Sequence, residues 1–179
     1  MKNSMIAISG LFALSIIGNT LAGTLSKGRD NRGVTLEYEG LEMGSNSAVR
    51  FSLKCVKNWG GEVTGAASVV AFYIDKSNIL QQVSNQVSCH VKGGLDGARK
   101  SRSGEVKTIT IPVPIAQAQV RAYIDYQEIS NTEAAVNHLQ GELNKIVEKS
   151  TLGLVKKPLS MGTSLEQAVI PAGGDKLAF

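Results

Sequence analysis

The chain has 179 residues, of which 42% are hydrophobic, 19% charged and 5% aromatic, and its formal net charge is +4. That length suits one domain with a sizeable core. So few aromatic rings remove the stacking platforms that single-stranded nucleic acid requires, and the basic residues are scattered rather than gathered in a stripe, which argues against a nucleic-acid partner.

The first stretch, "MKNSMIAISGLFALSIIGNTLAGTL", carries one lysine (Lys2), an apolar run from Met5 to Ile17, and then small residues up to Ala22. This is the three-part layout of a secretory signal peptide. Cleavage after Ala22 is expected, so that residues 1–22 are removed and the mature chain starts at Gly23. The competing reading is an uncleaved anchor. The run is shorter than the roughly 18–20 residues of a membrane span, and no later stretch is long enough either, the richest being "AASVVAFYI". The sequence therefore reads as a protein exported across an inner membrane to a periplasm, the cell surface or the medium, with no transmembrane segment after signal removal.

After a polar, Gly-rich lead-in, "VTLEYEGL" (34–41) alternates as a first strand, and a second runs over about 48–57. The third, about 65–75, is apolar on both faces and should lie centrally with both sides covered. A fourth spans about 80–92, followed by "GGLDGARKSRSGE" (93–105), read as a long polar loop. The fifth, 106–111, ends at Pro112 and Pro114, which cannot donate to a ladder and so mark an edge or a departure from the sheet. A sixth spans about 119–129, with Val120, Ala122, Ile124 and Tyr126 alternating against Arg121, Asp125 and Gln127. Ser130 and Glu133 then form a capping box, and Val136, Leu139, Leu143, Ile146 and Val147 recur at helical spacing, which predicts a helix over about 131–149. The same stripe fits about two heptads, too few for a coiled coil, so docking on the chain's own sheet is expected. Residues 154–179 read as a loosely structured tail.

The two cysteines sit in "RFSLKCVK" and "QVSCHVK", where Phe51, Leu53 and Cys55, and Val87, Cys89 and Val91, alternate with polar residues. Each cysteine thus lies on the inward face of its strand, and in an exported chain the pair is expected to close as a disulfide, with His90 facing the other way. No nucleophile elbow, metalloprotease, phosphate-loop or calcium-loop spacing occurs, so no catalytic residue, metal or cofactor is assigned. Glu37 and Glu39 share one strand face, the spacing paired carboxylates would need, and with His90 they are the only residues a hydrolase reading could use. Arg99, Lys100 and Arg102 in the polar loop form the candidate partner contact, suited to an acidic protein.

The expected architecture is α+β, mainly β. It has about six largely antiparallel strands in a sandwich-like domain over 23–153, one disulfide, and one C-terminal helix packed on a sheet face. The expected role is a non-enzymatic binding protein, such as an inhibitor, immunity-like, accessory or assembly factor. A polymerising surface subunit and an unfamiliar hydrolase are the alternatives.

Overall fold

Side chains on a strand alternate between its two faces, so a chain rich in period-two patterns can build two sheets that share one apolar interior. The computed structural model describes residues 21–29, 32–58, 61–92, 100–128, 139–146, 148, 159–170 and 173–179. Within them lie β1 (Leu21–Arg29), β2 (Arg32–Met43), β3 (Asn46–Lys57), β4 (Glu62–Ile74), β5 (Leu80–Lys92), β6 (Lys100–Ile111), β7 (Ala118–Gln127) and β8 (Asp175–Lys176). A 3-10 turn occupies Ile115–Gln117, and a helix, α1, covers 139–146. The first sheet has the order β1-β2-β3-β6 and the second β5-β4-β7-β8, with every pairing antiparallel.

The inner faces meet in one core, with Leu36, Val49, Phe51 and Leu53 from the first sheet against Val63, Val69, Val87 and Val120 from the second. Cys55 on β3 and Cys89 on β5 are bonded within it, tying the two sheets together. The strand expected to be covered on both sides is β4. Its inner face holds Val63, Ala67, Val69 and Ala71, while Ala66, Val70 and Phe72 on its outer face pack with Leu139 and Leu143 of α1. The helix therefore docks on its own sheet. The rest of the expected 131–149 helix, including Val136 and His138, lies largely outside the described residues.

The architecture is mainly β with a helix on a sheet face, but the described residues contain eight strands rather than six. β1 comes from the supposed lead-in and pairs with β2 from Leu21↔Gly40 to Arg29↔Arg32. Among the described side chains of this edge strand only Leu25 packs against the core, so no apolar alternation announces it. Its Lys27 reaches across to β7, donating to the Ile124 carbonyl (3.2 Å) and to Asp125 (3.0 Å). A lysine placed over a strand edge in this way discourages edge-to-edge association.

The end of the chain also differs from the loose tail expected. Asn78 donates through Nδ2 to the carbonyls of Leu159 (2.6 Å) and Ser160 (2.7 Å), and Leu165 and Ile170 pack beside Phe72 and Tyr123. Beyond them β8 joins the edge of β7, and Leu177 is only 4% exposed. Separated apolar side chains (Leu165, Ile170, Leu177 and Phe179) with polar contacts from Asn78 and Arg121 hold this stretch, a pattern with no period to read. Among the described residues, no helix is long and apolar enough to cross a membrane.

Candidate partner-binding groove

Of the polar loop expected over 93–105, residues 100–105 belong to a strand, and 93–99 lie outside the described residues. β6 starts at Lys100, and its ladder to β3 runs Lys57↔Lys100, Val56↔Ser101, Cys55↔Arg102 and Lys54↔Ser103 before the register shifts, resuming at Ser52↔Val106. One residue of β3, Leu53, thus faces two of β6, a bulge at Gly104 and Glu105. The bulge reverses the alternation. On one side of it Ile109 and Ile111 point into the core; on the other, Arg102 and Lys100 take that same side, opposite Cys55 and Lys57. Without it the serines 101 and 103 would stand there instead. Backbone pairing with β3 explains why so polar a stretch is a strand: the ladder needs no apolar side chain.

Gly104 also lets β6 close on β5. A Cβ at this position would stand 1.9 Å from the Ser88 carbonyl oxygen, so only the missing side chain permits the approach. Past this pinch the two strands line a groove of about 660 Å³ formed by His90, Val91, Lys92, Lys100, Ser101 and Arg102. Of the three candidate contact residues, Lys100 and Arg102 are therefore placed together on this wall, whereas Arg99 lies outside the described residues.

The cations around this end differ in what occupies them. Lys57, with a side chain 4% exposed, holds Glu128 at 2.6 Å, and Arg32 approaches the same carboxylate oxygen at 3.3 Å. The Lys57 hydrogen bond, aided by the charges of Lys57, Arg32 and Arg29 and opposed by partial burial, keeps the Glu128 carboxyl below the ordinary carboxylate range. Lys92 pairs with Glu62 at 3.1 Å. Lys100 and Arg102 are exposed and form no ion pair among the described residues, so their charge is directed into solvent at the groove.

His90 lies on the face opposite Cys89, as the alternation requires, but it is engaged there. Its Nδ1 is 3.1 Å from Thr64 Oγ1, and its Nε2 is 3.6 Å from Glu62 Oε2. The chain Thr64, His90, Glu62 has the composition of a hydroxyl-activating relay. Thr64 is wholly buried between β5 and β7, however, and its oxygen cannot meet a substrate in solution. Glu37 and Glu39 stand on the open outer face of the first sheet beside a shallow depression of about 490 Å³. Glu39 is paired with Arg50 at 3.2 Å. The sequence reading missed the bulge; an isolated glycine inside a strand pattern was the available signal. No family model, curated protein or solved structure matches the chain.

Proposed function

We propose that the chain is an exported, non-enzymatic binding module whose basic groove between β5 and β6 receives an acidic segment of another protein. The observation that carries this reading is the contrast among the cations. Lys57 and Lys92 are engaged by carboxylates, whereas the bulge turns Lys100 and Arg102 to the groove, where neither forms an ion pair among the described residues. Exposed charges of one sign on a concave wall raise the rate of encounter with an oppositely charged partner and fix its orientation. Removal of residues 1–22 by a signal peptidase would leave Gly23 inside β1, so most of the edge strand survives processing. The groove lies beside the disulfide, a bond suited to the oxidising compartments outside the cytosol.

The test is the paired substitution Lys100→Glu and Arg102→Glu. Immobilised wild-type protein and the variant are exposed to the periplasmic or extracellular fraction of the native source at about 20 and 150 mM salt. The wild type should retain an acidic protein that high salt releases. With that protein purified, the variant should associate at least about tenfold more slowly and with a weaker salt dependence, because exposed charges act mainly on encounter. Equal capture and equal rates for wild type and variant would overturn the assignment.

A further inference from the structure

Among the described residues both walls of the groove are edge strands, β5 with only β4 beside it and β6 with only β3. An edge strand turns the backbone groups of every second residue away from its neighbour, where a further strand can pair with them. On the far side of the Gly104 pinch, Asn85 Nδ2 donates to the Thr108 carbonyl at 3.4 Å, so that carbonyl is directed at β5 rather than at β3. Thr108 and its ladder partner Arg50 are therefore a non-hydrogen-bonded pair, and the next residue of β3, Phe51, faces β6 with its backbone. β3 itself runs without a register shift, so Leu53, Cys55 and Lys57 face β6 as well. Cys55 and Lys57 thus bond to Arg102 and Lys100, and Ser101 and Ser103 turn their N–H and C=O groups toward the groove. Among the described residues, 100–103 make no backbone hydrogen bond outside the β3 ladder.

Two features therefore lie along one short edge. Ser101 and Ser103 offer backbone donors and acceptors, and between them Lys100 and Arg102 put two cations on one side, about 6.8 Å apart along the strand. An antiparallel guest strand meets both at once. It hydrogen-bonds through the residues opposite Ser101 and Ser103, and its residues opposite Lys100 and Arg102 stand in the closer, non-hydrogen-bonded pairs. Opposite charges in such cross-strand pairs stabilise the ladder and like charges oppose it. The β6 edge of a second copy would set cation against cation and is disfavoured by the same rule. A helix has its backbone groups bonded internally and would leave those of Ser101 and Ser103 without partners.

We propose that the occupant of the groove is an extended acidic segment that adds to β6 as an antiparallel strand over Lys100–Ser103, with carboxylates at positions i and i+2 facing Lys100 and Arg102. This rests on the groove being a site for an acidic partner, and it adds the partner's conformation and charge spacing. The four residues of the open edge span about 13 Å, so a hexapeptide covers it. The ladder ends at the pinch, where β6 already lies against the Ser88 backbone.

Four capped peptides test it by titration into the 15N-labelled exported protein at about 20 mM salt, with the backbone amide shifts followed. Thr-Val-Glu-Val-Glu-Thr should bind saturably with a Kd of about 0.1–1 mM and shift the amides of Ser101 and Ser103. Its isomer Thr-Val-Val-Glu-Glu-Thr has the same charge but turns its carboxylates to opposite faces, and it should bind about tenfold more weakly. N-methylation of both Val in the first peptide should abolish binding, because their amides face β6. N-methylation of both Glu, whose amides face away, should change Kd less than about threefold. Any other ranking of the four overturns strand addition; equal binding by all of them would leave an acidic ligand held by charge without a strand. No saturable binding by any peptide up to about 5 mM also overturns it. Capture by wild type against the Lys100→Glu, Arg102→Glu protein decides separately whether the groove receives an acidic partner at all.

Discussion

Replacing Gly104 by alanine should destabilise the protein, contrary to the usual effect of removing a glycine from regular structure. The φ of Gly104 is not in the left-handed region, so its backbone accepts alanine and the cost comes from contact alone. The added methyl would meet the Ser88 carbonyl oxygen at 1.9 Å, the Ser88 carbonyl carbon at 3.0 Å and the Leu53 carbonyl oxygen at 3.4 Å. All three are backbone atoms inside ladders, so no side chain can rotate away, and β5 and β6 must separate by roughly 1 Å. A gap of that size forfeits a quarter to a half of the dispersion energy along the seam, and with the residual crowding the loss should be about 2–3 kcal/mol. For a domain of this size that corresponds to a melting point lower by about 5–10 °C. The control is Gly141→Ala in α1, where a Cβ meets nothing within 4 Å and stability should rise by about 0.5–1 kcal/mol. Thermal and urea unfolding of the oxidised proteins read both. If the Gly104 variant melts at or above the wild-type temperature while the Gly141 variant behaves as stated, the close approach of β5 and β6 is refuted.

Three further outcomes can be checked directly. Replacing Cys55 and Cys89 together by serine opens a loop with a sequence separation of 34 and should cost about 3.8 kcal/mol through the unfolded state, measured by urea titration. The Glu128 carboxyl is held below its ordinary range by Lys57, so its stabilisation is complete above the unfolded carboxylate pKa and is lost as pH falls through the lowered folded value. Glu128→Gln should therefore flatten the acid limb of the stability profile and, by leaving the buried Lys57 without its anion, cost about 2 kcal/mol at neutral pH. Intact-mass measurement of the exported chain should give a mature protein beginning at Gly23, and a mass retaining residues 1–22 would mean an anchor.

What could be read in advance depended on whether a residue faces the core. Phe51, Leu53 and Cys55 announce the inner face of β3 by period two, and Val87, Cys89 and Val91 that of β5; the bridge follows once both are turned inward. The unbroken apolar run of β4 gave its central place for the same reason, since burial on both faces leaves no polar alternation. β1, the first half of β6 and β8 carry no such mark. They are edge segments held by backbone hydrogen bonds, which every residue except proline can donate, so sequence composition says little about them. The candidate cations show the difference most clearly. Lys100 and Arg102 could be singled out as charge, but their shared direction is set by an extra residue in a ladder, and a register is a property of two strands rather than of one.

The disulfide and the groove are parts of one arrangement. Arg102 stands opposite Cys55 in the β3 ladder, and His90 and Lys92 follow Cys89 along β5, so the covalent bond ties one wall, β5, to β3, the ladder neighbour of the other wall, β6. The Gly104 pinch holds the same end of the groove by letting β6 rest on the Ser88 backbone. A groove clamped at both points has little freedom to lose when a ligand enters, and an acidic segment held mainly by two exposed cations could not compensate for a large ordering cost. Charge alone would attract such a segment without selecting a pose. Under the proposed function, the bulge, the pinch and the bridge together would give the attraction a fixed geometry, which is what would distinguish Lys100 and Arg102 from other basic residues on a basic protein.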